Sequence, residues 1–349
     1  MDRTKQVARV AAYSGGGLVF AGAAVVGLLL GQAFLARHTI QRAEAPPPRC
    51  DGRYGRFSGK RAVTLALLGD STGAGYGVHH ARETPGALLG AGLAERLGRP
   101  VDVRCFAVPG AKSAMLAPQV EAAIEVRPDI TVILIGGNDV THRVSNSIAV
   151  RHLVTAVRAL RAIGSKVVVG TCPDLGTIEP IQQPLRWLAR RWSRDLATAQ
   201  TIAVVEAGGS TVSLGDLLGP AFAAEPQRMF SSDRFHPSAD GYAAAAAALL
   251  PTVAAAVGAE PETRPSLARG EGVRSLPQAA AEAAGRAGTE VSGATVGGRE
   301  RGPAGRWAQL RNRVRQAIRP MDPFVNGATV SSMVERAHAF LKQSTVERR

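Results

Sequence analysis

The sequence predicts an α/β fold. The expected architecture is a three-layer α/β/α, flavodoxin-like sandwich on a five-stranded parallel sheet, with an N-terminal transmembrane helix before it and a C-terminal tail after it. Three observations lead there. Five short apolar runs rich in β-branched residues, at 62–68, 101–107, 130–135, 166–171 and 202–206, read as strands of the buried type. Stretches with helical features separate them, and strand–helix alternation of this kind implies parallel pairing. An uncharged apolar span precedes the first run, and a long tract without apolar periodicity follows the last helix.

At the N-terminus, the 27 residues between Arg9 and Arg37 carry no charge. That length exceeds the roughly 20 residues that cross a bilayer as a helix. Arg3, Lys5 and Arg9 precede the span, as at a cytoplasmic end, but Arg37, Arg42 and Arg49 follow it, so charge hardly sets orientation. The expectation is a single-pass anchor with the catalytic domain extracytoplasmic. A cleaved signal is the competing reading, with Gly31-Gln32-Ala33 as a small-residue cleavage site.

The Pro-, Gly- and Arg-rich stretch at 44–60 reads as a stiff spacer. Within the sandwich, helices are expected near 84–97, 116–126, 147–163, 184–200 and 238–257. Thr84-Pro85 supplies an N-cap followed by proline at the first helical position, and Gly98 follows Leu97 as a stop. Beyond Gly258, the 259–302 tract is expected to be disordered. Over 303–319, Trp307, Leu310, Val314 and Ile318 recur at helical spacing beside five arginines, a basic amphipathic helix suited to an anionic membrane or to docking on a partner. The organisation read from the sequence is thus 1–43 anchor or signal, 44–60 linker, 61–258 catalytic domain, 259–302 disordered linker and 303–349 helical tail.

Composition narrows the function classes. The net charge is +14, but the arginines are spread along the chain and aromatics make up only 5%, so nucleic acid is not an expected partner. Cys50, Cys105 and Cys172 lack CxxC spacing, which points away from zinc. One disulfide is allowed and none is demanded.

Four short motifs carry the chemistry. Gly69-Asp70-Ser71 directly follows the first strand and puts a hydroxyl on an exposed turn. Pro109-Gly110-Ala111 follows the second, where glycine lets a backbone N–H approach a ligand. Gly136-Gly137-Asn138-Asp139 follows the third, with an amide able to donate to a developing oxyanion. Asp233-Arg234-Phe235-His236-Pro237 precedes the last helix and spaces a carboxylate and an imidazole for mutual hydrogen bonding. Each motif alone reads as an ordinary turn or loop.

Taken together and in this order, they resemble the SGNH/GDSL hydrolase family over about 62–257, with Thr72 where the family signature has leucine. The resemblance implies a serine esterase or acylhydrolase working through an acyl-enzyme, with Ser71 as nucleophile, His236 as general base and Asp233 as its orienting partner. Ser71, Gly110 and Asn138 would form the oxyanion hole, and neither metal nor cofactor is called for. Asp70 and Asp139 are expected to brace loops; His79, His80, His142 and His152 are weaker candidates for the base. The expected partner is an ester substrate, with the Trp- and Arg-bearing helix near 184–200 suggesting a lipid or other acyl ester at a membrane. The same groups would serve a carbohydrate O-acetylesterase or acyltransferase, and outside enzymes the alternative is a membrane-anchored binding protein.

Overall fold

The computed structural model describes residues 24–36, 38, 46–56, 59–258, 294–296 and 299–301. The expected helices of the C-terminal tail and the first half of the apolar N-terminal span lie outside the described residues.

Six strands form the main sheet: β1 Gly52–Tyr54, β2 Val63–Gly69, β3 Val101–Cys105, β4 Ile130–Leu134, β5 Lys166–Gly170 and β6 Ser210–Val212, in the order β1-β3-β2-β4-β5-β6. Five run parallel, but β1 pairs antiparallel with β3, so the sheet is mixed and six-stranded rather than five-stranded and parallel. The added edge strand comes from the stretch expected to be a spacer. Its short length and its Gly and Arg residues hide any strand period.

The fifth expected strand, at 202–206, is instead the last part of a helix, α7 Leu185–Glu206. Its buried positions Ala189, Ser193, Leu196, Gln200 and Val204 fall on one helical stripe that runs straight through the β-branched stretch. Gly208 and Gly209 end that helix before β6. Tertiary packing of the stripe overrides local β propensity here.

The remaining helices are α1 Ala24–Ala36, α2 Ser71–Ala74, α3 Pro85–Leu97, α4 Leu116–Glu125, α5 Gly137–Thr141, α6 Asn146–Ala162, α8 Leu214–Ala224, α9 Pro226–Met229 and α10 Ala239–Ala256. α3 starts as its sequence predicts: the Thr84 hydroxyl accepts from Ala87 N, Pro85 follows, and Gly98 closes the helix with φ +58°. Side chains alternate across the sheet. Leu65 and Leu67 of β2 join Leu89, Leu93, Leu249 and Val253 of α3 and α10 on one face; Ala66 and Leu68 meet Val120, Leu153 and Leu160 of α4 and α6 on the other. The result is a helix–sheet–helix sandwich. Because β2 is flanked by β3 on one side and β4 on the other, the chain winds outward in both directions from it. A crevice therefore opens at the carboxyl ends of these strands.

The described part of α1, Ala24–Ala36, is shorter than a bilayer span. Its Ala36 is buried in a cluster with Leu175, Ile178 and Phe222, and Gln32 accepts from Leu185 N at the start of α7 (3.2 Å). Val25, Val26, Leu28, Leu30, Phe34 and Leu35 stay exposed. Among the described residues α10 is long and apolar enough to cross a membrane, but Tyr242, Leu249 and Val253 are fully buried within the sandwich. A separate antiparallel pair, β7 Ala294–Val296 with β8 Arg299–Arg301, lies within the tract expected to be disordered.

Candidate functional site

Ser71 opens α2 immediately after β2 and is buried. The turn that presents it depends on Gly69, whose φ is +134°; a Cβ there would lie 1.9 Å from the Leu134 carbonyl oxygen of the neighbouring strand. Only glycine permits that approach. Gly69 is gripped again by Gln119 of α4, whose buried amide accepts from Gly69 N (2.8 Å) and donates to Gly69 O (2.9 Å). The Asp70 carboxylate accepts from Thr72 N (2.9 Å), capping α2. As the first residue of a helix, Ser71 has a backbone N–H without an intrahelical acceptor.

The 230–237 loop, between α9 and α10, brings a carboxylate and an imidazole to this turn from the far end of the domain. His236 Nε2 lies 3.0 Å from Ser71 Oγ, and His236 Nδ1 lies 2.6 Å from Asp233 Oδ2. The second Asp233 oxygen accepts from the Ser231 hydroxyl (2.7 Å) and from the N–H groups of Phe235 and His236 (2.9 Å each). Burial pushes the Asp233 pKa up, but the hydrogen bond and charge of His236, its backbone N–H and Ser231 outweigh that and hold it at about 2. A carboxylate can only accept, so Nδ1 carries the proton and Nε2 is left to accept from the Ser71 hydroxyl. Tyr76 stacks at an angle against the imidazole (4.7 Å between ring centres), and the buried Tyr242 hydroxyl donates to Tyr76 O (2.7 Å).

Asn138, in α5 after β4, lines the same pocket as Ser71 and His236. Its amide nitrogen donates to Ala111 O (3.1 Å), which orients the group and leaves its second hydrogen for another acceptor. Gly110 is exposed, with φ +79°, and does not line that pocket. Its loop is nevertheless tied to the turn before Ser71: Val108 N donates to Gly69 O (3.0 Å). Asp139 accepts from Ser113 N (3.1 and 3.0 Å) and from its hydroxyl (2.8 Å), bracing the loop after β3 as expected. Burial raises the pKa of both inner carboxyls, and Asp70 reaches about 6. His79, His80, His142 and His152 stay outside the pocket.

The pocket has a cavity volume of about 100 Å³ and is open to solvent at its mouth. Its wall is mostly apolar, with Leu134, Ile135, Leu175, Ile178, Leu214, Leu218, Phe222, Phe230 and Phe235 beside the polar Asp70, Thr72, Asn138, Thr171, Asp174 and Thr177. The 171–181 segment and α8 build most of this wall. Asp174 anchors the segment by accepting from Gly176 N (2.8 Å) and pairing with Arg194 (3.0 Å), and Glu179 pairs with Arg234 (3.1 Å) on the His236 loop. Sequence reading missed Gln119, Gln200, Ser231 and α8. The two glutamines had a signal: each is a lone amide on the apolar stripe of a helix, where a buried polar group must have a partner. Gln200 accepts from Cys172 N (2.8 Å) and donates to Ile135 O (3.1 Å), joining the ends of β4 and β5.

Comparison with known proteins gives three results. The family model described as GDSL-like lipase/acylhydrolase matches residues 67–244. A GDSL-like esterase of Mycobacterium tuberculosis is 46% identical over 251 residues, covering 68% of this chain and 80% of that protein. Among solved structures, TesA aligns with TM-score 0.47 at 23% identity, over 55% of this chain and 99% of its own. A lipase/acylhydrolase from Enterococcus faecalis aligns with TM-score 0.45 at 16% identity, over 55% and 95%.

Proposed function

We propose, from the premise that this chain belongs to the GDSL-like lipase/acylhydrolase family and is an ester-bond hydrolase, that it cleaves carboxylic esters of apolar acyl chains through Ser71, His236 and Asp233. The observation that carries this is the continuous relay from Ser71 Oγ through the His236 ring to Asp233, at 3.0 and 2.6 Å.

In the first half-reaction Ser71 Oγ attacks the ester carbonyl carbon while its proton passes to His236 Nε2. Asp233, ionised at any pH well above 2, holds the ring and stabilises the imidazolium. The carbonyl oxygen becomes an oxyanion, met by the Ser71 N–H and the free hydrogen of the Asn138 amide, with the Gly110 N–H completing the set once substrate is bound. Collapse of the tetrahedral adduct breaks the bond to the alcohol, which leaves with the proton from Nε2. Water then attacks the acyl-enzyme, giving its proton to His236, and the carboxylic acid departs as Ser71 is restored.

The substrate class follows from the pocket wall. Nine leucine, isoleucine and phenylalanine side chains beside the nucleophile suit the hydrocarbon of an acyl group. A sugar acetate would leave that wall facing water. The exposed apolar side chains of α1, docked against the start of α7, support a chain held at a membrane with 61–258 as its catalytic unit.

The test is hydrolysis of p-nitrophenyl esters of graded chain length by the full chain and by Ser71→Ala. The expected outcome is a preference for medium or longer acyl chains, lost by at least about 10³-fold in the variant. Retained turnover in a clean Ser71→Ala preparation overturns the mechanism; a strict acetate preference overturns the substrate class.

A further inference from the structure

β1 and β3 pair with Gly52 opposite Val103, Arg53 opposite Asp102 and Tyr54 opposite Val101. Continuing that antiparallel register by two residues sets Cys50 directly opposite Cys105. Two bonds fix the backbone on either side of the pair: Cys105 N donates to Asp51 Oδ1 (3.0 Å) and the Tyr54 hydroxyl donates to Cys50 O (2.8 Å). We infer that Cys50 and Cys105 are the partners of a cross-strand disulfide that fastens the incoming N-terminal segment to the edge of the catalytic sheet.

Facing residues of an antiparallel pair have Cβ atoms about 4.5–5.5 Å apart, within a small adjustment of the roughly 3.5–4.5 Å that a disulfide requires. The interaction between the two side chains is the main influence on both thiols: it lowers the Cys50 pKa and raises that of Cys105. Cys50 is thus the sulfur favoured as thiolate, which is the attacking form in thiol–disulfide exchange. Its side chain is enclosed; Sγ lies 2.5 Å from where a Cβ of Gly86 would stand, so the α3 backbone closes over it. Cys105 is only partly covered and is the end open to an incoming oxidant. Cys172 is buried in a different cluster beside the 171–181 segment and has no such partner among the described residues.

In the oxidation, the two thiols lose two protons and two electrons to a small-molecule disulfide such as oxidised glutathione, or to a protein dithiol–disulfide oxidase. One S–S bond forms and the oxidant leaves as two thiols. The closed loop, 50–105, contains β1, β2, the Ser71 turn and α3. Cys105 is followed directly by the loop bearing Gly110, and its sulfur lies 3.9 Å from Gly73 O. The bridge therefore restrains the frame of the site without taking part in its chemistry.

The full chain, purified in detergent and fully reduced, is equilibrated with a glutathione redox buffer, alkylated and digested without reduction. The expected result is a peptide joining Cys50 to Cys105, with Cys172 alkylated once the chain is unfolded. Oxidised wild type should melt about 10 °C above both the reduced protein and Cys50→Ser, given a closed loop of this length in a domain of this size. Alkyl groups on both Cys50 and Cys105 after oxidation, a bridge to Cys172, or equal melting of oxidised and reduced protein overturns the inference. Both readouts are independent of esterase turnover, so they stand or fall apart from the proposed function.

Discussion

Ser71 Oγ and His236 Nε2 are 3.0 Å apart although 165 residues separate them in the chain. The contact exists because the turn after β2 and the loop before α10 are each fixed from outside the site. Gln119 and Leu134 hold the first; the Tyr242 hydroxyl, on Tyr76 O, ties α10 to the segment after α2.

Asn138→Ala removes a donor aimed into the pocket and the tie to Ala111 O. The expected outcome is a fall in kcat of about 10²–10³-fold with KM little changed, measured on the preferred p-nitrophenyl ester. An effect confined to KM contradicts oxyanion stabilisation.

Asp233→Asn keeps the shape of the loop but replaces a pure acceptor with a group that can donate to Nδ1. Nε2 would then carry the proton and could no longer take one from Ser71. Turnover is expected to fall by about 10⁴-fold at neutral pH. The same carboxylate affects stability. Its folded pKa is depressed to about 2, so its contribution is present above the ordinary carboxylate value and is lost as pH falls through about 2.

Asp70 has the opposite sign. Burial raises its pKa to about 6, so the folded state binds its proton more tightly than the unfolded state does. The associated stabilisation is complete below the unfolded value and is lost as pH rises through about 6. Asp70→Asn keeps an oxygen to cap Thr72 N and removes the buried charge. Relative to wild type, the variant is expected to gain stability between pH 4 and pH 8, by up to roughly 3 kcal/mol. Denaturant melts at the two pH values check this; a pH-independent difference contradicts it.

Gln119→Leu leaves the Gly69 N–H buried without its acceptor. A destabilisation of about 2 kcal/mol is expected, with a lower kcat because the Ser71 turn loses its clamp. Chemical denaturation and kinetics on the same preparation test both parts.

Leu218→Trp fills the pocket wall near α8. Long-chain esters are expected to lose at least about tenfold in kcat/KM while acetate is spared. A uniform loss across chain lengths places the acyl group elsewhere.

The parts of the fold that could be read from the sequence are those where one periodicity dominates. β2, β4 and β5 are dominated by consecutive apolar residues, β3 alternates apolar and charged ones, and α3 carries its own start and stop signals. β1 could not be read because an edge strand of three residues, Gly-Arg-Tyr, takes its conformation from its partner strand. Ile202, Val204 and Val205 mislead because their β propensity is local, whereas the stripe that buries Val204 spans all of α7. At the candidate site, Ser71, Asn138, Asp233 and His236 stood out because each sits in a short motif at an element end. Gln119 and Gln200 act through backbone partners far away in the chain, which the fold alone brings to them, while Ser231 reaches Asp233 two residues on through a local turn with no distinctive sequence signal. The apolar wall was hidden because its residues come from separate segments, 134–135, 175–178, 214–222 and 230–235, that only the fold brings together.

A fluorophosphonate probe followed by peptide mapping tests the catalytic relay most directly. The expected result is a single stoichiometric adduct on Ser71 in the full chain, abolished in His236→Ala with the fold intact. Esterase turnover that persists with Ser71 unlabelled, or an adduct at another serine that tracks with loss of activity, would contradict it.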